Sequence, residues 1–109
     1  MTPNHALTNQ AKELALQDLS GWLSPEGEFV ACIETGGQLM ELSMGGHEAT
    51  ALQMLSDQPK LMRELNRRRL LKGCRTWPET SRYNLIKEFM RECGFVRVSP
   101  DILSFHDLA

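Results

Sequence analysis

Residues 28–33, Glu28-Phe29-Val30-Ala31-Cys32-Ile33, decide the fold class of this chain. Phenylalanine, valine and isoleucine in such a short run favour a β-strand. Before the run, Pro25 and Gly27 predict a turn, because proline presets one turn dihedral and glycine permits a positive one. After it, Gly36-Gly37 can reverse the chain, so that residues 38–43 return as the second arm of a hairpin. We therefore expect a small antiparallel sheet, and an all-helical protein would contradict this interpretation.

Outside this hairpin, apolar residues at helical spacing predict about four helices. The first lies between residues 3 and 19 and ends near Ser20-Gly21, since glycine commonly ends a helix in a left-handed turn. A short helix covers residues 47–55, and a basic helix covers residues 59–72. The apolar anchors of the basic helix are expected to be Leu61, Leu65 and one of the pair Leu70 and Leu71.

The last helix has the clearest local signal. Thr76 can cap it, Pro78 suits its first turn and Glu79 can complete a capping box. Helical spacing continues as far as Gly94. Beyond it, residues 95–98 predict a strand, residues 99–101 a turn, and residues 102–105 a last edge strand.

These elements predict one α+β domain spanning residues 1–109, with about four helices packed on a small, mainly antiparallel sheet. A chain of 109 residues has the size of one domain with one core. The expected strands are 28–34, 38–43 and 95–98. The predicted core residues are Leu14, Trp22, Phe29, Ile33, Leu52, Leu65, Ile86, Phe89, Phe95 and Val98.

Composition favours a soluble, cytoplasmic protein. A hydrophobic fraction of 41% and a charged fraction of 24% are typical of folded domains. No apolar run approaches the roughly 18 residues that span a bilayer, and residues 1–6 do not resemble a secretory signal. Cys32, Cys74 and Cys93 are odd in number and widely spaced, which indicates reduced thiols and not a disulfide framework.

Charge is distributed unevenly along the chain. Residues 60–75 hold seven basic side chains and only Glu64 as an acid, a net charge of +6. The rest of the chain holds five basic and thirteen acidic residues, a net charge of −8, and the two values sum to the overall −2. The basic segment predicts a binding surface, whose candidate residues are Lys60, Arg63, Arg67, Arg68, Lys72 and Arg75.

Three interpretations of this basic helix remain open at the level of sequence. It could dock onto an acidic protein surface, contact nucleic-acid phosphates, or be a solvated face. We favour an acidic protein partner, because the acidic remainder of the chain would repel a long polyanion that extended past this helix.

Chemical sites are weakly indicated. Cys32 with His47 and Glu48 is the best candidate for nucleophilic catalysis, but nothing in the sequence fixes their geometry, so we predict no catalytic site and keep a small Cys/His-dependent enzyme as an alternative. His5, His47, His106 and the cysteines lack the close pairs of a zinc site, so no metal is expected. The glycine pairs match no nucleotide-binding motif, so no cofactor is expected either.

One stretch resembles a pattern of small uncharacterised phage and prophage proteins. The matching residues are Gly21-Trp22-Leu23-Ser24-Pro25-Glu26-Gly27-Glu28-Phe29, then Cys32, His47, Ala51 and Leu55. The resemblance implies an origin in a mobile element, and small phage proteins often act by binding host machinery. The leading hypothesis is therefore a non-enzymatic interaction protein that modulates or inhibits host machinery, with a nucleic-acid-binding regulator as the alternative.

Overall fold

Three short antiparallel strands form one sheet. The computed structural model describes residues 5–32 and 44–103. The strands are β1 (Gly21–Leu23), β2 (Phe29–Ala31) and β3 (Val96–Val98), in the order β2-β1-β3. The predicted strands at 28–34 and 95–98 are therefore present in shorter form, whereas the predicted arm 38–43 lies outside the described residues.

Five helices accompany this sheet in the described part of the chain, four of them longer than seven residues, which confirms the predicted α+β class. They are α1 (His5–Leu16), α2 (Gly46–Ser56), α3 (Pro59–Leu71), α4 (Trp77–Arg82) and α5 (Leu85–Glu92). A 3-10 turn, Pro100–Leu103, follows β3.

The central strand is one that the sequence did not predict. Gly21 was expected to end a helix, but it begins β1 and pairs with Ala31 of β2 and with Val98 of β3. An added Cβ at Gly21 would collide with the Val30 carbonyl oxygen and lie 2.9 Å from the Ala31 Cα. The absence of a side chain at Gly21 therefore serves close strand pairing, with Gly27 at a φ of 90° in the intervening turn.

Helix α1 ends earlier than predicted. Asp18 adopts a φ of 64°, and its backbone N–H donates to the Ala15 carbonyl at 3.0 Å. The Leu19 N–H donates to the Leu14 carbonyl at 3.2 Å, so the carbonyls of Leu14 and Ala15 near the end of the helix are satisfied. The left-handed residue is Asp18, and not the glycine that the sequence suggested.

Two further predictions near residues 76–105 are wrong. The single helix expected from Thr76 to Gly94 is divided into α4 and α5, because Asn84 adopts a φ of 59° between them. The edge strand expected at 102–105 is not formed at residues 102 and 103, which belong to the 3-10 turn. Residues 104 and 105 lie outside the described part.

The sheet separates two apolar clusters. Trp22 of β1 belongs to the larger cluster, formed mainly with α2, α3 and α5, and the adjacent Leu23 belongs to the smaller cluster, formed with α1 and β3. This division follows from the alternation of side chains along a strand. The larger cluster contains Trp22, Met44, Ala51, Leu52, Leu55, Leu65, Ile86, Phe89, Met90 and Phe95; the smaller contains Leu7, Ala11, Ala15, Leu23 and Val98.

Most of the predicted core is buried. Leu14 and Phe29 are the exceptions among the described residues, since they are half-buried against the smaller cluster. Ile33 lies outside the described residues. The predicted core residues that are buried are Trp22, Leu52, Leu65, Ile86, Phe89, Phe95 and Val98.

Candidate interaction surface

Helix α3 presents the basic segment. Pro59 lies in its first turn, where a missing backbone N–H costs nothing, and Gly73 follows its end with a φ of 84°. Leu65 is fully buried and Leu61 packs against the larger cluster, as predicted. These two leucines fix which side of α3 faces the protein interior.

Two arginines of α3 act within the fold. Arg68 donates to Glu64 at 3.0 Å and to Glu92 of α5, and its guanidinium carbon lies 5.0 Å from the centroid of the Phe89 ring. These contacts connect α3 with α5. Arg68 is one of the residues predicted to bind a partner, and the structure places it in a network that joins two helices.

Arg69, which was not among the predicted binding residues, has a similar internal role. Its Nε donates to Asn66 Oδ1 at 2.7 Å, and its Nη1 donates to the Cys74 carbonyl at 3.3 Å. The guanidinium carbon lies 4.6 Å from the centroid of the Trp77 ring. A cation over the face of tryptophan is a favourable arrangement, so Arg69 fastens the end of α3 to the start of α4.

The remaining predicted cations are exposed. Lys60, Arg63, Arg67, Lys72 and Arg75 are all on the surface. Arg67 keeps 61% of its side chain exposed although its Nε donates to Glu64 Oε1 at 3.1 Å. The hydrogen bonds from Arg67 and Arg68 lower the pKa of Glu64 to about 2, so this carboxylate stays ionised and neutralises part of the local positive charge.

Two exposed leucines lie next to these cations. Leu70 is 62% exposed and Leu71 is 74% exposed, so the prediction that one of them anchors α3 is wrong. The inner side of the last turn is filled by Arg69 and the buried Cys74. We call the exposed set on this helix the outer face of α3; it consists of Lys60, Arg63, Arg67, Leu70 and Leu71.

Helical spacing holds a signal for these leucines that the sequence analysis missed. The anchors Leu61 and Leu65 are four residues apart and lie on one side of the helix. Steps of three or four residues continue this side to positions 68, 69 and 72. Leu70 and Leu71 fall outside this side of the helix. Arg63, Arg67 and Leu71 instead form a row of their own on the outer face.

The Cys/His candidate site is divided between a strand end and a helix start. Cys32 follows β2, is half-buried, and its pKa is raised by burial, against which a hydrogen bond with Thr50 and the charge of Arg97 act. His47 lies in the first turn of α2, where burial and the nearby Arg97 and Lys87 lower its pKa to about 4.

Trp22 and Glu48 have structural roles beside His47. The Trp22 Nε1 donates to the His47 backbone carbonyl at 2.7 Å, which satisfies the buried indole. Glu48 is buried, accepts a hydrogen bond from Ser81 Oγ and lies 3.6 Å from Lys87 Nζ. The carboxylate thus ties α2 to α4 and α5, a role for which the sequence analysis had no signal.

No group of three or more His, Cys, Asp or Glu residues within 5–32 and 44–103 is arranged to hold a metal ion. None of the helices in these two ranges combines the length and apolar composition that a bilayer crossing requires. When compared with protein-family models, curated proteins and solved structures, the chain shows no significant match in any of the three.

Proposed function

We propose that this chain is a non-enzymatic interaction protein that binds an acidic surface of another protein through the second half of the outer face of α3, at Arg67, Leu70 and Leu71. The observation that carries the proposal is the exposure of Leu70 and Leu71 directly beside Arg67. Leucines on the exposed end of a helix contribute little to folding, whereas apolar groups covered by a partner contribute to affinity. The cations would speed association with an acidic partner.

The leucines favour a protein partner over nucleic acid. A phosphate-binding helix gains affinity from each cation that displaces a counterion, and side chains such as Leu70 and Leu71 add nothing to that effect. Protein interfaces combine an apolar centre with a polar rim. Leu70 and Leu71 with Arg67 and the adjoining Lys72 have this composition.

The titration properties of Cys32 and His47 support a role without catalysis. A thiol whose pKa is raised is protonated at neutral pH, and the thiolate is the nucleophilic form. A histidine with a pKa of about 4 is a weaker base than an ordinary histidine. Both shifts are opposite to those of a nucleophile and base prepared for catalysis.

We extend the proposal to the cellular compartment and to the kind of partner. Cys32, Cys74 and Cys93 are free thiols, which favours a reducing compartment such as the cytoplasm. The resemblance to small phage proteins suggests that the partner belongs to host machinery and that binding modulates or inhibits it.

Two pairs of matched variants test the proposal. Arg67→Glu and Arg91→Glu make the same change in charge, but only Arg67 lies on the outer face of α3. Leu71→Ser and Leu16→Ser remove leucines that are 74% and 69% exposed, on α3 and α1 respectively. Partners are captured in parallel from nuclease-treated and untreated extracts, and affinities for the captured protein are then measured by biolayer interferometry.

We expect Arg67→Glu and Leu71→Ser each to weaken binding about tenfold, equivalent to roughly 1.4 kcal/mol, and their controls to bind like the wild type. Arg67→Glu should act mainly on the association rate. If the captured protein binds all four variants equally, the proposal is wrong. If capture requires nucleic acid, and affinity for a short DNA or RNA duplex falls steeply with salt and is unaffected by Leu71→Ser, the nucleic-acid alternative is correct.

A further inference from the structure

An acidic groove lies beside the first half of α3. It has a volume of about 440 Å³ and is bounded by the β1–β2 turn, the end of α2 and the start of α3. Three exposed carboxylates, of Glu26, Glu28 and Asp57, are part of its lining. Its apolar lining includes Val30, Met54, Leu61 and Phe95.

Among the described residues, the carboxylates of this groove have no counterions. No lysine or arginine of this part of the chain lines the groove, and none of Glu26, Glu28 and Asp57 forms an ion pair within it. Three like charges around an apolar surface disfavour one another and would be stabilised by cations from outside. Val30, 39% exposed, leaves apolar area for such a partner to cover.

A basic depression borders the groove on the same helix. Its lining consists of Gln58, Pro59, Lys60, Leu61 and Arg63, and its volume is about 580 Å³. Gln58 and Leu61 line both features, so the basic and acidic surfaces are immediate neighbours. Neither Lys60 nor Arg63 forms an ion pair within the described residues.

We propose that a second copy of this chain occupies the groove, in a two-fold dimer in which Lys60 and Arg63 of each copy contact Glu26, Glu28 and Asp57 of the other. In a two-fold dimer both copies use the same surface. If the basic part of one copy contacts the acidic part of the other, the reverse contact is therefore also made. Reciprocal contacts of this kind require the two parts to be adjacent. Their shared lining at Gln58 and Leu61 meets that requirement.

This dimer leaves the proposed partner-binding site available. At 1.5 Å per residue, Leu71 lies about 16 Å along α3 from Lys60. The dimer uses the first half of α3, and the partner-binding site is centred on Arg67, Leu70 and Leu71 in the second half. The two associations can therefore be tested with different substitutions.

The test uses complementary charge reversal. The first variant is Lys60→Glu with Arg63→Glu, and the second is Glu26→Lys, Glu28→Lys and Asp57→Lys. Sedimentation velocity measures association between about 1 μM and about 1 mM protein, at about 50 mM and about 300 mM salt, where screening differs strongly. Circular dichroism verifies that each variant is folded.

We expect the wild type to form a reversible dimer that dissociates as salt rises. Each variant alone should be at least tenfold weaker in self-association, because its groove and its basic depression then carry the same sign. An equimolar mixture of the two variants should restore a dimer of one copy of each, since opposite charges face each other at both contacts. Arg91→Glu, outside the interface, should dimerise like the wild type.

The dimer proposal is wrong if the wild type stays monomeric at the highest concentration in low salt, or if it forms open-ended oligomers in place of a dimer. It is also wrong if the variants on their own dimerise like the wild type, or if their mixture stays monomeric. If the triple variant does not fold, Glu26→Lys with Glu28→Lys replaces it in the mixture, since this pair of substitutions already makes the net charge of the three groove positions positive. Arg67→Glu and Leu71→Ser, which impair the proposed partner binding, should dimerise normally, so failure of one proposal does not imply failure of the other.

Discussion

His47 is held in a position that disfavours its protonated form. Its Nδ1 is buried and has no hydrogen-bond partner among the described residues, and its ring makes an edge-to-face contact with Trp22 at a centroid distance of 6.0 Å. The charged groups that act on its pKa are Arg97 and Lys87, which lower it, and Asp101, which raises it. Burial has the largest effect.

This environment makes stability depend on pH. The pKa of His47 is about 4 in the folded protein and 6.5 in an unfolded chain. Between these values the unfolded state binds more protons, so the contribution of His47 to stability is complete above pH 6.5 and is lost as the pH falls toward 4. We expect urea unfolding to show this loss in the wild type and a flatter profile in His47→Gln. Parallel profiles in the two proteins would show that His47 is not the responsible group.

Individual contacts between neighbours along the chain were predictable. Thr76 Oγ1 accepts a hydrogen bond from the Glu79 N–H at 3.3 Å, which confirms the predicted cap. The Glu79 carboxylate accepts a hydrogen bond from the Arg75 N–H at 2.9 Å, whereas the predicted capping box would use the N–H of Thr76, the next residue. Both bonds join residues three or four apart, so the sequence contains their determinants. Arg68 depends on Glu92 of another helix, and no local pattern indicates that contact.

The hairpin of β1 and β2 depends on a glycine at position 21, where a side chain would not fit. Gly21 permits the backbone of β1 to approach Val30 and Ala31, which no other residue could do without displacement. A helix-ending glycine and a strand-pairing glycine look alike in a sequence. The structure distinguishes them, because Asp18 ends α1 and Gly21 is free to enter the sheet.

Gly21→Ala should therefore destabilise the protein strongly. We expect the free energy of unfolding to fall by about 1–3 kcal/mol or more, the range for inserting atoms into closely packed regions. The cost is high because backbone, and not a flexible side chain, must move. Gly45→Ala is the control, because its added Cβ would lie 3.8 Å from the nearest atom and its cost should be below about 1 kcal/mol. Equal unfolding midpoints for the two variants would contradict this account of β1.

For helix α3, the sequence predicts the helix but not which of its basic side chains are available to a partner. The sequence placed the basic segment on a helix, and the structure confirms the helix. Which cations remain available depends on tertiary neighbours: Arg68 is engaged by Glu92 and Phe89, and Arg69 by Trp77. Leu70 and Leu71 are likewise exposed because Arg69 and Cys74 occupy the inner side of the last turn of α3. The sequence alone does show that these leucines lie on a different side of the helix from Leu61 and Leu65.

The molecule as a whole is organised around a sheet with an apolar cluster on each side. Trp22 and Leu23 are both fully buried, on opposite sides of β1. Loss of β1 would therefore expose both clusters together. This arrangement favours a single cooperative unfolding transition over separate melting of α1 and of the helices around Trp22.

Leu23→Ala tests this coupling. It removes a fully buried side chain from the smaller cluster, so we expect a loss of about 2–5 kcal/mol. Tryptophan fluorescence, which reports on the larger cluster, should shift by the same amount as helical circular dichroism. Val30→Ala, at a 39% exposed position of β2, should cost less than about 1 kcal/mol. If fluorescence kept its wild-type midpoint while circular dichroism did not, the two clusters would be energetically independent.

The position of β1 between β2 and β3 also has a consequence for the order of events during synthesis. The Leu23–Phe29 pairing joins neighbours that leave the ribosome almost together, but the Leu23–Val96 pairing must await residues made much later. The apolar side of α1 packs against Val98, so it has no complete binding surface until then. Until residues 96–98 have been made, α1 would be a candidate for chaperone binding, and the pairing of β3 with β1 would follow that of β2 with β1.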